Sequence, residues 1–443
     1  MPAVRPATRG RIRLRMAVTM PLVAVAVIAT WLSPLAAGTL PATRASLPLH
    51  PTTTVVGRLS LASVGPVGPA GSVPPARVPP PGQKAAGRIT TEAAAILAPP
   101  SGLAQPVTSS GDALLLGGRV AQFRGINVPE AATLYSVNPG CGAQIDLERL
   151  FATLAPDSFV RVDFSEERAI NPITGRRDWD ALDRVVGSAA AAPTHPHLVI
   201  SLVNQAGQCG DGHWLDSGWY SGGYRQVFDD NGDNWPRVSY WNYLDEVVAR
   251  YAGTPAIAIW EPVGEPEAAD CASGFRGTAC YLHKSCPPSA TAALRSFFDT
   301  VGAEIHRLDP SHLVGSGVIG GTQCGWAGAG SVAIHRSPGI DVETFHDYGS
   351  DAVPLPGELA QRLGDAREIG KPLIDEEVGI DARNQQGCTS LATRAAELGA
   401  KMRAAFAAGA SGFMVWDFAE GVPDGRCDTR VRPGDPALGL LAA

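Results

Sequence analysis

No cysteine occurs in the first 140 of the 443 residues, and only one acidic side chain, Glu92, occurs in the first 110. Every disulfide must therefore lie beyond residue 140, and nearly all of the negative charge beyond residue 110. No CxxC pair is present, so the usual spacing of a zinc site is missing even where Cys271, Cys280 and Cys286 cluster around His283. Nor does a glycine-rich phosphate loop come after the first apolar run, which argues against a dinucleotide-binding open sheet. Residues 111–443 carry 26 basic and 42 acidic side chains, a net charge of −16. A body this acidic argues against partnership with nucleic acid or an anionic membrane surface.

Arg5, Arg9, Arg11, Arg13 and Arg15 precede the apolar run MAVTMPLVAVAVIATWLSPLAAG. That layout predicts a secretory signal over residues 1–38; the run is also about long enough to span a bilayer as an uncleaved anchor. Residues 39–107 are rich in Pro, Ala, Ser, Thr and Val and lack helical or strand periodicity, as in GPVGPAGSVPPARVPPPGQ, and are expected to be a disordered spacer. The folded domain is expected over 108–443, outside the cytoplasm. Its eight cysteines, an even number in an exported chain, are expected to form disulfides.

From Gly117 onward a short apolar run, a polar or glycine-rich loop and an amphipathic stretch recur. The runs are VAQFRGINV (120–128), FVRVDF (159–164), HLVISLV (197–203), AIAIWE (256–261), LVGSGV (313–318), VETFHDY (342–348), PLIDEEVG (372–379) and GFMVWDF (412–418). Between them lie helical patterns such as WDALDRVVGSAAAA and ATAALRSFFDTVGAEIHRL. Eight continuous apolar runs alternating with helices imply parallel strands buried on both faces, closed into a (β/α)8 TIM barrel.

In such a barrel polar groups at the C-terminal strand ends mark the site, because the strand interiors must stay apolar. Five ends carry them: Arg161, Glu261 with Glu265, His346 with Tyr348, Glu376 with Glu377, and Trp416. A carboxylate pair among aromatics is the equipment for cleaving a glycosidic bond. A retaining enzyme holds one carboxyl to protonate the leaving oxygen and another, about 5–5.5 Å away, to attack the anomeric carbon.

These strand ends resemble those of clan A glycoside hydrolases, specifically family 5, the cellulases, β-mannanases and related retaining β-glycosidases. The fourth-strand pattern of that family stands here as Trp260-Glu261-Pro262-Val263-Gly264-Glu265-Pro266, and the seventh-strand pattern as Glu376-Glu377-Val378-Gly379. The resemblance implies Glu265 as acid/base and Glu377 as nucleophile, with Glu376 as the alternative nucleophile. It further implies substrate or positioning roles for Arg161, His346 and Tyr348, and Trp416 as the platform under the sugar.

Two positions depart from the family. Gly264 replaces the Asn that reads the sugar 2-hydroxyl, and Val378 replaces the aromatic after the nucleophile. Both bear on the substrate more than on the chemistry.

Beyond the motif, Trp214, Trp219, Tyr220, Tyr224 and Trp235 crowd the loop after the third strand, and Trp326 comes after the fifth. Trp214 and Trp326 are taken as candidate sugar contacts. Glu261 and Glu267 read as ion-paired or solvated loop carboxylates, and His306, His312 and His335 are given no role. No metal or cofactor is implied. The expected partner is a polysaccharide or oligosaccharide, and the expected state is a monomer. A barrel that binds glycan without cleaving it, and a transglycosylase using the same pair, are the alternatives.

Overall fold

The computed structural model describes residues 104–133, 145–171, 173–207, 213–227, 238–349, 353–421 and 425–442. The expected signal, all but the end of the expected spacer, and Cys141, Cys209 and Trp235 lie outside these residues. Among the described residues no helix is long and apolar enough to cross a membrane.

A small antiparallel sheet comes first, made of β1 (Val107–Ser110), β2 (Ala113–Leu116) and β3 (Arg119–Val120). Val107 and Leu114 from it are buried against the side chains that fill the barrel. Val107, a residue the composition assigns to the spacer, thus belongs to the first strand of the small sheet, because VTSS pairs with Ala113–Leu116.

The barrel strands come next: β4 (Phe123–Asn127), β5 (Phe159–Asp163), β6 (His197–Ser201) and β7 (Ile257–Glu261). The loop after β7 contains a short hairpin, β8 (Asp270–Cys271) with β9 (Lys284–Ser285). The ring continues with β10 (Leu313–Val314), β11 (Glu343–Asp347), β12 (Leu373–Val378) and β13 (Gly412–Val415). One barrel strand lies in each of the eight apolar runs read from the sequence. All neighbours pair in parallel, in the order β10-β7-β6-β5-β4-β13-β12-β11. The two ends of that order meet through a parallel bridge between Gly315 and Val342, with Asp341 N donating to Val314 O at 2.8 Å. The sheet is therefore a closed (β/α)8 barrel.

Helices Asp180–Ala191, Tyr240–Tyr251, Ala290–Leu308 and Leu391–Ala408 cover the ring where the 3.6-residue periodicity places them. Ser239 and Ser390 cap two of them by accepting from Asn242 N and Thr393 N, which satisfies amides the first turn leaves unpaired. Inside the ring Phe123, Phe159, Val199, Ile259, Val342, Ile374 and Met414 form a dry core. The rings of Phe123 and Phe159 stack at 4.2 Å, and truncating either to Ala would cost about 3–5 kcal/mol. The interior is thus filled from below and polar only at its C-terminal mouth.

Among the described residues three disulfides tie the loops at that mouth: Cys271–Cys280 within the β8–β9 loop, Cys286–Cys324 from that loop to the one after β10, and Cys388–Cys427 between the loops after β12 and β13. The Cys271/Cys280/Cys286 cluster thus holds one bridge local to its own loop, in line with the disulfides expected of an exported chain.

Candidate active site

Asn127, Arg161 and Glu261 stand at or near the C-terminal ends of β4, β5 and β7, where the apolar filling stops. Arg161 is the hub. Its Nε and Nη2 donate to both oxygens of Glu261 at 3.0 and 2.6 Å, and its Nη1 donates to Asn127 Oδ1 at 3.1 Å and to Glu377 Oε1 at 2.5 Å. Glu376 Oε2 lies 3.8 Å from its Nε. All of these side chains are almost fully buried, so the planar fork of arginine, with five donors, suits the position where a lysine would satisfy only part of it.

Consecutive residues of a strand ordinarily point to opposite faces, yet Glu376 and Glu377 both reach Arg161. An irregularity makes this possible: the register of β12 against β11 passes from Asp375 directly to Glu377, and against β13 from Asp375 to Val378. Glu377 faces the open side, where the Tyr348 hydroxyl donates to its Oε2 at 2.6 Å. Glu376 lies behind it against Glu261. Gly379 leaves room for Tyr348, because a Cβ there would fall 2.5 Å from Tyr348 Cε1.

Across the mouth, Glu265 lies just past β7 with φ of +59°, an uncommon conformation for a non-glycine residue. The surroundings fix it: Glu265 N donates to Gly317 O at 2.7 Å, and Gln323 Nε2 donates to Glu265 O at 3.0 Å. Its carboxylate takes two further contacts, His346 Nδ1 at Oε1 (3.1 Å) and the Tyr281 hydroxyl at Oε2 (3.0 Å). His346 Nδ1 also lies 3.3 Å from Glu377 Oε2, so the ring stands between the two carboxyl groups. Oxygens of Glu265 and Glu377 approach within 4.8 Å of one another. That approach of single oxygens is compatible with the narrow carboxyl separation of a double displacement.

The electrostatics arise from burial among charges. Burial pulls His346 down, but Glu377, Glu265 and Glu376 outweigh it and push the ring up to about 10. His346 is therefore a cation at neutral pH. Glu265, His346 and Glu377 each offer an atom within 4.8 Å of the others. Glu261 rises to about 8 because burial and Glu376 prevail over Arg161, while Glu376 stays low, held by Arg161, His346 and a hydrogen bond from Glu261. Neither Glu376 oxygen has another hydrogen-bond donor among the described residues, so a proton on Glu261 is the one that would relieve the pair.

Between the two facing carboxyls, burial raises Glu377 despite His346 and Arg161. Glu265 is held low despite burial by His346 and Tyr281.

The other sequence candidates divide. Trp416 lies just past β13 and keeps part of its surface open, and Tyr348 is 41% exposed, so both offer faces to a ligand. Trp326 is fully buried, donates its indole N–H to Pro266 O at 2.7 Å and packs on Phe298 and His335; this core tryptophan has no face for a sugar. Trp214 is also buried, bonded to Ala269 O, with its edge against Tyr281. Trp219, Tyr220 and Tyr224 close on Phe297 as a packed aromatic cluster. The length of that loop demands a core of its own, and the aromatics supply it. Glu261 and Glu267 are ion-paired, to Arg161 and Lys284 respectively.

Sequence reasoning did not single out Asn127 or Tyr281. Asn127 carries a usable signal, a polar residue ending an apolar run. Tyr281 carries none, being 16 positions beyond Glu265 in a loop whose path depends on disulfides.

A closed (β/α)8 barrel with two close carboxyls at its mouth, one beside an arginine and one beside a histidine, has the equipment for double displacement at an acetal carbon. Comparison with known proteins gives the particular relatives. No family model matches the chain. Over 223 residues it is 30% identical to a probable mannan endo-1,4-beta-mannosidase C of Aspergillus terreus, covering 46% of this chain and 51% of that one. Over 226 residues it is 27% identical to mannan endo-1,4-beta-mannosidase A of Podospora anserina, covering 47% and 53%. The chain thus spans about half the length of the curated relatives it matches. Among solved structures, an endo-1,4-beta-mannanase from Rhizomucor miehei superposes with a TM-score of 0.51 at 17% identity, covering 76% of this chain and 97% of that one. A glycoside hydrolase family 5 mannosidase of the same organism does so with 0.50 at 14%, covering 76% and 96%. These likenesses bear out the barrel fold and the resemblance to glycoside hydrolase family 5.

Proposed function

We propose that this chain is a retaining β-glycoside hydrolase acting on a polysaccharide, with a β-1,4-mannan as the substrate the relatives favour. The observation that carries the reading is the approach of Glu265 and Glu377 within 4.8 Å around His346. In this reading Glu377 attacks the anomeric carbon while Glu265 protonates the departing oxygen. Glu265 then takes a proton from the water that releases the glycosyl-enzyme. Arg161 and Tyr348, both donating to Glu377, hold the nucleophile in place, and Trp416 supports the sugar. The three disulfides of the described residues fit an exported protein, in keeping with a signal over 1–38 and a spacer over 39–107 that runs into the start of β1.

Hydrolysis of a panel of β-mannans, β-glucans, xyloglucan and bacterial cell-wall glycans, with product anomers followed by NMR, tests the proposal. Release of β-anomers first from a mannan supports it. An α-anomer first, or no cleavage of any member, removes it.

Gly264 favours a second reading, a barrel that binds glycan and cleaves it weakly or not at all. The contact an Asn would make there strengthens in the transition state and is worth about 2–4 kcal/mol. A Cβ at 264 would sit 3.1 Å from both Arg161 Nη2 and Ser201 Oγ, so the present packing leaves little room for one. Glycan binding without turnover is the result that selects this reading. Elongated products on adding acceptor oligosaccharides would mark transglycosylation by the same pair.

A further inference from the structure

Tyr281 belongs to none of the barrel strands, yet its hydroxyl reaches Glu265 Oε2 at 3.0 Å. The short helix that bears it, Gly277–Tyr281, lies in the β8–β9 loop and is held on every side. Cys280, the preceding residue, is fully buried and bonded to Cys271. Lys284 Nζ stands 5.3 Å from the centre of the Tyr281 ring and is paired with the buried Glu267 at 2.5 Å. The Trp214 ring meets that of Tyr281 edge-on at 5.1 Å. Cys286, just beyond β9, is tied to Cys324. So much restraint on one phenol, aimed at one carboxylate oxygen, is more than the packing of a surface loop requires.

We propose that Tyr281 is a positioning residue that sets the ionisation of Glu265 relative to Glu377, and that the Cys271–Cys280 disulfide holds it in that role. The inference rests on the reading of Glu265 as acid/base. The groups facing Glu265 are His346 from β11, Glu377 from β12, Arg161 from β5, Tyr348 after β11, and Tyr281. His346 and Arg161 act on both carboxyls, and Tyr348 donates to Glu377. Among the described residues Tyr281 donates to Glu265 and makes no hydrogen bond or ion pair with Glu377, whereas His346 Nδ1 lies within reach of both, 3.1 Å from Glu265 Oε1 and 3.3 Å from Glu377 Oε2.

A donor to the charged form stabilises the carboxylate, so Tyr281 draws Glu265 toward ionisation. Cleavage needs Glu265 protonated and Glu377 ionised at its first step; at the second, with Glu377 bound to the sugar as an ester, it needs Glu265 ionised to take the proton of the attacking water. A substrate that loosens the Tyr281 contact thereby arms the acid, and re-forming the contact favours release.

The test is a titration of the glutamate carboxyl carbons by ¹³C NMR, with Glu265 assigned by the signal that disappears in Glu265→Gln. In Tyr281→Phe the Glu265 midpoint should rise by about one pH unit, the loss of one hydrogen bond to a charged group. The Cys271→Ser/Cys280→Ser variant should shift it in the same direction, and adding Tyr281→Phe to that variant should move it no further. The pH profile of kcat/KM on a cleaved glycan should shift together with the midpoint. A Glu265 midpoint unchanged in Tyr281→Phe overturns the inference, and one unchanged in the cysteine variant overturns the part given to the disulfide. The NMR readout needs no substrate, so a protein that cleaves nothing but shows the shift would remove the hydrolase reading alone. A protein that cleaves glycan without the shift would remove this inference alone.

Discussion

His346 Nδ1 lies 3.1 Å from Glu265 Oε1, inside a pocket of carboxylates that keeps the imidazole protonated far above its ordinary range. The stabilisation this supplies is fully present below the unfolded value of about 6.5 and is lost as the pH rises through about 10. His346→Asn should therefore lower the melting temperature most near pH 6 and progressively less toward pH 10. The upper bound is ~5 kcal/mol at the acidic end. Melting curves of the two proteins across that range, parallel at every pH, would show that the imidazole is neutral.

Removing each carboxyl should separate the two roles. Glu265→Ala should lose about 10²–10⁴-fold on natural glycans yet turn over activated aryl glycosides, which need no proton, with azide restoring part of the rate. Glu377→Ala should be inactive on both classes, since no glycosyl-enzyme can form. An active Glu377→Ala beside an inactive Glu376→Ala would move the nucleophile one residue upstream.

Arg161→Ala should destabilise the protein by about 3–5 kcal/mol in urea unfolding, because it leaves Glu261, Glu376 and Glu377 buried around an absent cation. It should also raise the acidic limb of kcat/KM, since the arginine favours the ionised form of Glu377. Arg161→Lys restores the charge but not the fork, and should recover only part of both losses. Stability equal to that of the unaltered protein in Arg161→Ala would show that the carboxyls repartner or take up protons without penalty.

A chain beginning at residue 104 should keep the melting temperature and activity of the whole protein, as a spacer that does not pack on the barrel requires. One beginning at residue 111 loses β1 and the buried Val107, and should melt several degrees lower. Equal melting of the two would mean that the small sheet adds nothing to the barrel.

The barrel was legible because both of its signals are local. A run buried on both faces has to be apolar throughout, and a helix against it has to repeat every 3.6 residues; AIAIWE and ATAALRSFFDTVGAEIHRL carry those demands with no knowledge of their neighbours. Glu265, Glu377, His346 and Tyr348 were legible because strand ends are where a polar residue cannot be filling. Trp326 misled because an aromatic looks the same whether it faces a sugar or the core; what decides is whether its N–H finds a backbone carbonyl inside, as it does at Pro266. Tyr281 and the pairing of Glu261 with Glu376 depend on contacts across loops and strands far apart in sequence, which no periodicity records.

The Arg161 fork also bears on how such a chain can diverge. Asn127, Glu261, Glu376 and Glu377 come from three strands and all depend on the arginine or on one another, so changing one leaves a charge or a donor stranded in a dry place. Descendants of this sequence can exchange that set only together, whereas residues at its border, such as Gly264, Val378 and Tyr281, are freer to vary one at a time. New substrate preference would then arise from the border inward, with the charged centre inherited as a single character.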